Sequence, residues 1–558
     1  MKILLCAINS KYIHSSLAPW YIKSAIDQLE LDNTECRILE CTINEGFDKI
    51  LEKISSYDYD LIGFSTYIWN VNLVLQLAKE IKKSKNKKVL LGGPEVSYNL
   101  EEIFLKYDFI DYIVSGEGEE PFADFVSGKN VEEIDGFSYR NGKDFVIKPT
   151  HVSKKDPPFP YTQEYLDALN GRITYLETSR GCPFRCAFCL SGRCGGVRFF
   201  NLEESKRKIL LLANSGTQTV KFIDRTFNAD KKRAIEIFNF IIDNYGINIP
   251  PSVCFHFEIE GNLVDENMLD LLKKAPKGLF QFEIGLQSFN EETLNHINRK
   301  TNLEKLSNVI KEIISLENIH VHIDLIAGMT YETLESFKKG FNRAVKLRPH
   351  MLQLGFLKLL HGADMRENPD GFACEYSKEP PYEVISTEWM SKNDLEKLHI
   401  FEDCFEKIYN SSRFPLTCEY IFSKAGNVFD ALMKFALFCS DNMVENKLDN
   451  FTEAILDYFG SQLYINRREL RDYLALDRLS TNKMGTLPEC LKIHSALIKK
   501  MLNELEKNPQ TRKKKGIKRA ATILPSMNEF VYVDYNDLDR VKKAYKINRI
   551  FINIDEKL

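Results

Sequence analysis

Two regions of the chain alternate short apolar runs with amphipathic stretches. In residues 1–120 there are five such runs, and segments with helical spacing, such as 73–82, separate them. The runs are KILLCAI (2–8), ECRILECTI (35–43), DLIGFST (60–66), KKVLLGG (87–93) and DYIVSGEGE (111–119). This alternation predicts a doubly wound parallel sheet. In such sheets, ligands bind over the carboxyl ends of the strands.

The alternation resumes at residue 173, with helical patterns such as 234–244 and 303–315 between the runs. Six apolar runs follow: ITYLETS (173–179), TVKFIDR (219–225), SVCFHFEIE (252–260), LFQFEIGLQ (279–287), IHVHIDLIAG (319–328) and MLQLGFLKL (351–359). Six repeats of this kind predict a partial (β/α)6 barrel of the TIM type. Its chemistry would lie at the carboxyl ends of the strands.

From about residue 385 the pattern becomes mostly helical, for example at 394–410 and 429–438. Two possible strands follow, FVYVDY (530–535) and RIFINI (549–554). We therefore expect an α/β protein with four parts: a Rossmann-like doubly wound sheet (1–135), a linker (136–170), the partial barrel (171–385) and a mainly helical domain (386–558).

The composition is that of a globular protein, with 44% apolar and 28% charged residues among 558. The formal net charge of −4 gives no overall attraction to nucleic acid or to anionic membranes. The apolar start, MKILLCAI (1–8), is too short for the core of a signal peptide. No run reaches the roughly 18 apolar residues that span a bilayer. We expect a cytoplasmic protein without a membrane partner.

One basic run, RKKKGIKR (512–519), could neutralise phosphates on RNA. It has no interleaved aromatic residues that would stack on bases. We interpret it as a solvated loop and expect no nucleic-acid partner.

Most of the 13 cysteines are scattered, but Cys182, Cys186, Cys189 and Cys194 are close together. The segment SRGCPFRCAFC (179–189) follows the first run of the predicted barrel, so we expect it in a loop over the barrel mouth. Three thiolates can hold a 4Fe–4S cluster and leave one iron open to a reactive molecule. The alternative is a structural zinc loop with Cys194 as fourth ligand, although zinc sites favour paired C-x2-C knuckles.

The cysteine triplet, with Phe188 before its third member, resembles the signature of the radical S-adenosylmethionine (radical SAM) superfamily. The resemblance covers roughly residues 1–370. It implies that Cys182, Cys186 and Cys189 hold the cluster and are the catalytic residues. The open iron would chelate the methionine moiety of S-adenosylmethionine, and reductive cleavage would release a 5′-deoxyadenosyl radical that abstracts hydrogen from a substrate.

Further residues at successive strand ends resemble the SAM-binding motifs of that superfamily. Asp224 ends the second run, where the family positions the amino group of the cofactor. Glu283 and Gln287 in FEIGLQS resemble the motif that contacts its ribose and carboxylate. Asp324, Gly328 and Glu332 in DLIAGMTYET resemble the motif near its adenine, with Thr330 where many relatives have proline. The predicted SAM-binding residues are Phe188, Asp224, Glu283, Gln287, Asp324 and Gly328.

The first region resembles the cobalamin-binding domain that precedes some radical SAM barrels, through DLIGFST (60–66), LLGGPEVS (90–97) and VSGEGEEPF (114–122). It has no G-x-G-x-x-G turn, so nicotinamide and flavin are not predicted. The predicted cobalamin-binding residues are Ser10, His14, Ser65, Thr66, Gly92, Gly93, Glu117 and Gly118. The chain also lacks D-x-H-x-x-G, which leaves His14 as either a ligand beneath the cobalt or a locally bonded loop histidine. A degenerate sheet that only docks on the barrel is the alternative.

The resemblance implies a radical SAM enzyme that uses a 4Fe–4S cluster, S-adenosylmethionine and cobalamin. It would transfer a methyl group to an unactivated carbon of an unknown substrate, with flavodoxin or ferredoxin as electron donor. A cobalamin-dependent cyclisation or rearrangement without methylation stays open, as does a non-catalytic iron–sulfur redox or binding protein. Residues 386–558 resemble a C-terminal extension of unknown role.

Overall fold

The structure is a computed structural model that describes residues 1–83, 87–193, 195–483, 485–493 and 495–552. Its strands are β1 (Lys2–Asn9), β2 (Glu35–Thr42), β3 (Leu61–Ser65), β4 (Lys88–Gly92), β5 (Tyr112–Val114), β6 (Phe137–Asn141), β7 (Asp144–Val146), β8 (Thr174–Leu176), β9 (Ser179–Cys182), β10 (Gly196–Phe199), β11 (Thr219–Phe222), β12 (Cys254–Ile259), β13 (Phe280–Gln287), β14 (His320–Ala327), β15 (Met351–Phe356), β16 (Cys374–Tyr376), β17 (Val384–Thr387), β18 (Arg519–Leu524), β19 (Glu529–Asp539) and β20 (Ala544–Phe551).

The helices are α1 (Ala18–Asp27), α2 (Phe47–Ser55), α3 (Val71–Ile81), α4 (Leu100–Lys106), α5 (Glu119–Val126), α6 (Gln163–Leu169), α7 (Leu202–Ala213), α8 (Lys231–Asn244), α9 (Glu266–Leu272), α10 (Glu291–His296), α11 (Leu303–Ser315), α12 (Leu334–Lys346), α13 (Asp364–Glu367), α14 (Lys392–Phe405), α15 (Pro415–Lys424), α16 (Val428–Asp441), α17 (Leu448–Gly460), α18 (Arg467–Thr481) and α19 (Ser495–Lys507). A π-helical turn, Glu406–Asn410, continues α14.

The first sheet has seven strands in the order β2-β1-β3-β4-β5-β6-β7. The first five are parallel, at the positions that the apolar runs predicted. Their crossovers are helices, because α3 and its neighbours bury one apolar face against the strands. The stretch expected as a linker adds β6 and β7, which pair antiparallel at the edge. A tight hairpin suffices there, because antiparallel neighbours need no crossover helix.

The second sheet has six strands in the order β15-β14-β13-β12-β11-β8, one for each predicted run. From β11 to β15, neighbours in the chain are neighbours in the sheet, and β8 pairs with β11 after the separate pair β9 and β10. Helices lie between the strands from β11 onward, which confirms the predicted α/β architecture. In β13 the sequence FQFEIGLQ buries every phenylalanine, isoleucine and leucine and leaves the alternate positions half-buried. Successive side chains of a strand point to opposite faces, so this alternation places its polar residues on one face.

The C-terminal part is mostly helical, as the pattern predicted, and ends in an antiparallel sheet of β18, β19 and β20. The sequence did not predict β18, because its strand begins inside the basic run. Arg519 is nevertheless largely buried, and its Nε donates to Oδ1 of Asp534 at 2.7 Å. Asp534 lies opposite Arg519 in the register of β18 and β19. Because of this cross-strand ion pair, Arg519 belongs to a strand and not to the solvated loop that we expected.

The chain forms two compact units. The first contains residues 1–274, 295–300 and 356–388, and the second contains 275–294, 301–355 and 389–558. The first sheet and the cysteine triplet belong to the first unit, and β13, β14 and β15 belong mostly to the second.

Candidate functional site

The cysteine triplet of the first unit lies in a small hairpin: Cys182 ends β9, and Cys186 and Cys189 follow in its loop. Strands β9 and β10 pair antiparallel, with Cys182 opposite Gly196, so the loop closes where it begins. Within it, the backbone N–H of Cys189 donates to the carbonyl of Cys186 at 3.1 Å. The sequence did not predict this hairpin, because each strand has four residues and little apolar character. Cys194, the alternative fourth ligand, lies outside the described residues.

The three thiols lie in partly buried, polar surroundings. None forms a disulfide; Cys186 is buried, and Cys182 and Cys189 are half-buried. Sγ of Cys182 lies 3.3 Å from Oγ1 of Thr226, and Nη1 of Arg299 donates to Sγ of Cys186 at 3.8 Å. Burial raises the pKa of the Cys186 thiol, Cys189 and Cys182 raise it further, and Arg299 lowers it. The three thiolates repel one another. A bound metal would offset that repulsion, because ligating thiols bind as thiolates.

The middle of the cluster loop is fixed by backbone contacts on both sides. The N–H of Ala187 donates to the carbonyl of Ile297 at 2.9 Å, and the N–H of Met365 donates to the carbonyl of Ala187 at 3.0 Å. Arg299, close to Ile297 in sequence, pairs with Glu260 at 2.9 Å. The loop is therefore held by segments that are far away in the sequence.

Asp224 follows β11 and fixes the start of the hairpin. It is 1% exposed. Its two oxygens accept hydrogen bonds from the N–H of Thr178 at 3.0 Å, the hydroxyl of Thr178 at 2.6 Å and the hydroxyl of Ser179 at 2.5 Å. Burial raises the pKa of Asp224, and the bonds from Ser179 and Thr178 oppose that rise. Its contacts thus hold the backbone that leads to Cys182.

Arg180 connects the cluster hairpin with the loop after β5. Its guanidinium contacts three carboxylates: Glu177 at 3.0 Å, Glu117 at 2.6 Å and Glu119 at 2.6 Å. Arg198 of β10 also contacts Glu117 at 2.6 Å. Burial lowers the pKa of Arg180, but the carboxylates, Glu177 first, raise it further than burial lowers it. Sequence reasoning named only Glu117, since nothing in the pattern pairs residues 63 positions apart.

The predicted cobalamin-binding residues lie at the carboxyl edge of the first sheet. The register aligns Ser65 with Gly92, which places the ends of β3 and β4 side by side. Thr66 is fully buried, and its hydroxyl donates to the carbonyl of Gly92 at 2.7 Å. Gly93 has φ +114°, and a Cβ there would lie 2.5 Å from the carbonyl oxygen of Thr66. Packing against Thr66 therefore requires this glycine, whether or not a flat ring approaches it.

His14 and Ser10 lie in the loop after β1, and both are half-buried. Nδ1 of His14 lies 2.6 Å from the hydroxyl of Tyr175, a residue of β8. Burial lowers the pKa of His14. Nδ1 of His14 is thus engaged by a residue 161 positions away, and the role of His14 towards cobalamin stays a prediction.

The same edge carries an aromatic pair that sequence reasoning missed. The rings of Tyr67 and Trp69 stack with centroids 4.4 Å apart, and Trp69 is 44% exposed. Nε1 of Trp69 donates to the carbonyl of Ile8 at 3.2 Å, which fixes the indole. An exposed indole beside strand-end glycines offers a flat apolar surface to a large ring. The available signal was the tryptophan directly after a predicted strand end.

In the second unit, two predicted SAM-binding carboxylates meet a histidine. Glu283 of β13 lies opposite His322 of β14, and Asp324 lies on the same face two residues further on. One ligand atom from each of these three residues lies within 4.8 Å of the others. Nε2 of His322 is 2.9 Å from Oδ1 of Asp324. Sequence reasoning missed His322, although its spacing of two from Asp324 places both on one face of a strand.

The remaining predicted SAM-binding positions occupy irregular backbone. Gln287 has φ +69°, next to a β-bulge at the end of β13, and Gly328 has φ +81°. Bulges and left-handed residues are common beside functional sites. Glu332 is buried and accepts hydrogen bonds from the hydroxyls of Ser288 and Ser336, so it connects the ends of β13 and α12. Phe188, in the first unit, is half-buried in the cluster loop.

Three family models match the chain in succession. The model described as the B12 binding domain matches residues 3–126, and that of the Radical SAM superfamily matches residues 176–343. A family described as a protein of unknown function, DUF4080, matches residues 370–551. The chain carries a radical SAM domain and a B12-binding domain. The cysteine triplet lies in the first of these domains, and the strand-end glycines lie in the second.

Two curated relatives differ in the reaction that their names state. The cobalamin-dependent radical SAM methyltransferase TokK of Streptomyces tokunonensis is 27% identical over 356 residues, which are 58% of this chain and 50% of TokK. The anaerobic magnesium-protoporphyrin IX monomethyl ester cyclase of Rubrivivax gelatinosus is 24% identical over 333 residues, 54% of this chain and 57% of the cyclase. The chain thus spans about half the length of the curated relatives it matches.

Among solved structures, the cobalamin-dependent S-adenosylmethionine radical enzyme OxsB with aqua-cobalamin bound has a TM-score of 0.61 at 14% sequence identity. The match covers 84% of this chain and 79% of OxsB. At this identity the likeness is one of fold, and it agrees with the α/β architecture described above.

The radical SAM domain implies a 4Fe–4S cluster and S-adenosylmethionine, and the B12-binding domain implies cobalamin, which confirms the predicted cofactors. The residues fit these groups. Three disulfide-free thiols share one closed loop, and an exposed indole lies beside strand-end glycines at the carboxyl edge of the first sheet. A radical SAM domain requires an electron donor and a substrate. Among the described residues, no helix is long and apolar enough to cross a membrane.

Proposed function

We propose that this chain is a cobalamin-dependent radical SAM methyltransferase that methylates an unactivated carbon of an unidentified substrate. The observation that supports this most is a contact within the first unit. Arg180, two residues before Cys182, is bound to Glu117 of the B12-binding domain at 2.6 Å. The loop proposed to hold the cluster is thereby fixed to the edge proposed to hold cobalamin, as an enzyme needs if both cofactors act on one substrate.

A 4Fe–4S cluster supplies the electron that cleaves S-adenosylmethionine, and cobalamin supplies a carrier for the methyl group. In this proposal, Cys182, Cys186 and Cys189 ligate the cluster, and Arg299 offsets part of their negative charge. Asp224 acts as a positioning residue, because its bonds to Thr178 and Ser179 fix the hairpin. The other proposed residues keep their predicted roles: Phe188, Glu283, Gln287, Asp324 and Gly328 for S-adenosylmethionine, and Ser10, His14, Ser65, Thr66, Gly92, Gly93, Glu117 and Gly118 for cobalamin.

A cyclisation or rearrangement without methylation is the second candidate, favoured by the likeness to the magnesium-protoporphyrin ester cyclase. Both reactions form 5′-deoxyadenosine from S-adenosylmethionine. Methylation also forms S-adenosylhomocysteine, because a second S-adenosylmethionine must restore the methyl group on the carrier. The ratio of the two products therefore separates the candidates.

The test is to purify the full chain without oxygen, load it with iron, sulfide and hydroxocobalamin, and add dithionite and S-adenosylmethionine. We expect 5′-deoxyadenosine together with S-adenosylhomocysteine, and retention of the corrin after desalting. The variant Cys182→Ala should form neither product, whereas Cys490→Ala, a cysteine far from the triplet in sequence, should form both.

Deoxyadenosine without S-adenosylhomocysteine would favour the cyclisation candidate. A fully loaded cluster that gives no deoxyadenosine, with extracts of an anaerobic host supplied as a source of substrate, would overturn both enzymatic candidates. A non-catalytic iron–sulfur protein would then explain the triplet.

We further propose flavodoxin or ferredoxin as the electron donor and the cytoplasm as the location, where such reductants are available. The proposed domains are the cobalamin-binding sheet (1–135), the partial barrel (171–385) and the C-terminal domain (386–558). The stretch between the first two (136–170), expected as a linker, begins with β6 and β7 at the edge of the first sheet. Reduction of the loaded chain by purified flavodoxin, followed by the loss of cluster colour, tests the donor directly.

A further inference from the structure

The second unit contains a cavity of about 900 Å³ that the proposed function does not use. We call it the C-terminal cavity. It lies between the carboxyl end of α12, the loop that leads into β15, the helix α15 and the turn between β19 and β20. Residues from both the radical SAM match and the DUF4080 match line it, for example Asn342 and Phe422. Its volume is in the range of small-molecule sites.

The walls of the C-terminal cavity are mainly apolar and aromatic. Leu416, Phe422, Val541 and Tyr545 line it together with Tyr409. The hydroxyl of Tyr409 donates to the carbonyl of Pro349, and its ring stacks on Phe422 with centroids 6.0 Å apart. Tyr409 therefore offers its ring, and not its hydroxyl, to a bound molecule. Walls of this kind favour a hydrocarbon or aromatic body.

The rim of the C-terminal cavity is cationic. Lys346, Arg348 and Lys542 line it, against the single carboxylate of Glu419. Arg348 pairs with Glu419 at 3.1 Å and Lys542 pairs with Glu317 at 3.2 Å, which leaves Lys346 as the cation in excess among these groups. His350 adds no charge near neutral pH, because burial lowers its pKa to about 4. An anionic group at the mouth would therefore be attracted, and a cationic group would be repelled.

A few residues around the C-terminal cavity have uncommon backbone conformations. Arg348 and Ser412 both have φ +56°, a left-handed conformation that glycine usually provides after a helix. Tyr409 belongs to the π-helical turn Glu406–Asn410, and such turns are frequent at functional sites. The side chain of Asn410 in this turn bonds both the N–H and the carbonyl of Leu352, at 3.0 and 2.8 Å, and so fixes it to β15. These bonds fix the wall that carries Tyr409.

The C-terminal cavity lies at the amino ends of the barrel strands. His350 lines it and directly precedes β15. Its ring lies 5.0 Å from that of His320, the first residue of β14. In barrels of this type the chemistry takes place at the carboxyl ends. A ligand in the cavity would therefore lie at the opposite ends of β14 and β15 from those where barrels of this type carry their chemistry.

We propose that the C-terminal cavity binds an apolar organic acid, a carboxylate on a hydrocarbon or aromatic body, as a ligand distinct from substrate and cofactors. The body would lie against Tyr409, Phe422 and Tyr545, and the carboxylate would lie at the rim beside Lys346. This assigns a binding role to the C-terminal domain, and it does not depend on the proposed reaction.

The test measures binding to the full chain in the absence of any turnover. The fluorescent probe anilinonaphthalenesulfonate, an apolar anion, is titrated first and is then displaced by decanoate, decanol or decyltrimethylammonium. These three have the same chain and differ only in the charge of the head group. We expect decanoate to displace the probe at a concentration at least about tenfold lower than decyltrimethylammonium, which corresponds to about 1.4 kcal/mol.

Three variants locate the site. Ala425→Trp adds bulk at a lining residue and should abolish binding of the probe, so that no displacement by the three compounds is seen. Lys346→Glu should weaken decanoate about tenfold and leave decanol unchanged. Lys434→Glu, an exposed lysine of α16 outside the cavity, is the matched control and should change neither. Equal displacement by decanoate and decyltrimethylammonium, or equal effects of Lys346→Glu and Lys434→Glu, would overturn the proposal.

Discussion

The ion-paired side chains beside the cluster loop are buried, whereas those at the rim of the C-terminal cavity are exposed. In the cluster loop Arg180 is 18% exposed and contacts three carboxylates, each of them also largely buried. At the cavity rim Arg348 is 74% exposed and contacts one carboxylate that is 56% exposed. A buried network holds two segments in one arrangement, because breaking any contact leaves a charge uncompensated in a low dielectric. An exposed rim contributes little to folding but still attracts a mobile anion.

The comparison extends to a cysteine and an aspartate in each region. Cys186 and Asp224 lie at the cluster loop, while Cys418 lines the cavity and Asp477 lies beneath it. All four are largely buried. The cysteines and the aspartates of the two regions are alike in burial and differ in their neighbours. The neighbours of each group, and not its burial, therefore indicate its role.

The largest expected effect separates the two cysteines. Cys186→Ala should lose the cluster and abolish 5′-deoxyadenosine formation, because three thiolates are needed to hold the iron. Cys418→Ala should keep both, since its Sγ donates to the carbonyl of Ile408 at 3.3 Å and has no proposed role in the cluster. Iron and sulfide per chain, measured with the product, check this. Equal iron loss in both variants would contradict the assignment of the triplet.

The second effect separates the two arginines. Arg180→Gln should lower the free energy of unfolding by about 3–5 kcal/mol, because it leaves buried carboxylates unpaired. Arg348→Gln should lower it by less than about 1 kcal/mol, as expected for an exposed ion pair. Denaturant unfolding of the metal-free chain measures both. Similar losses in the two variants would show that the Arg180 network is no more stabilising than a surface pair.

The third effect is a pH dependence from Asp477. Burial raises its pKa from 3.8 to about 7, against the bonds that it accepts from the N–H groups of Thr417 and Leu416. The folded chain then keeps a proton that the unfolded chain has lost. The free energy of unfolding therefore falls as pH rises from about 4 to about 7, by up to about 1.4 kcal/mol per pH unit.

In Asp477→Asn this contribution is absent, because an amide does not titrate. The difference in free energy of unfolding between the native chain and the variant should shrink as pH rises towards 7 and stay constant above it. Urea unfolding at several pH values measures that difference. A difference that does not change between pH 5 and pH 7 would place the pKa of Asp477 near its ordinary value.

The smallest effect concerns the lysine at the rim. Lys346→Glu should change the free energy of unfolding by less than about 0.5 kcal/mol, as is usual for exposed side chains. Affinity for decanoate should nevertheless fall. A stability loss as large as that of Arg180→Gln would mean that the rim is structural and would remove the distinction between the two regions.

The parallel strands of both sheets could be predicted because their apolar runs are local signals, whereas β6 and β7 fall in the stretch expected as a linker. The helix predicted at 303–315 agrees with α11 (Leu303–Ser315). The hairpin of β9 and β10 could not be predicted, since its stability comes from Asp224, 45 positions from Ser179. The strand β18 was missed because Arg519 looks like a surface residue until Asp534 lies opposite it.

The sequence by itself indicated the chemistry, because the cysteine triplet and the strand-end glycines are motifs that can be recognised within a few residues. Only the tertiary structure decided which groups surround that chemistry. Arg180 meets Glu117, and Glu283 meets His322, across long separations in the chain. The C-terminal cavity likewise exists only where α12, α15 and the last strands come together. Contacts of this kind depend on packing between elements, which no local pattern of apolar and polar residues records.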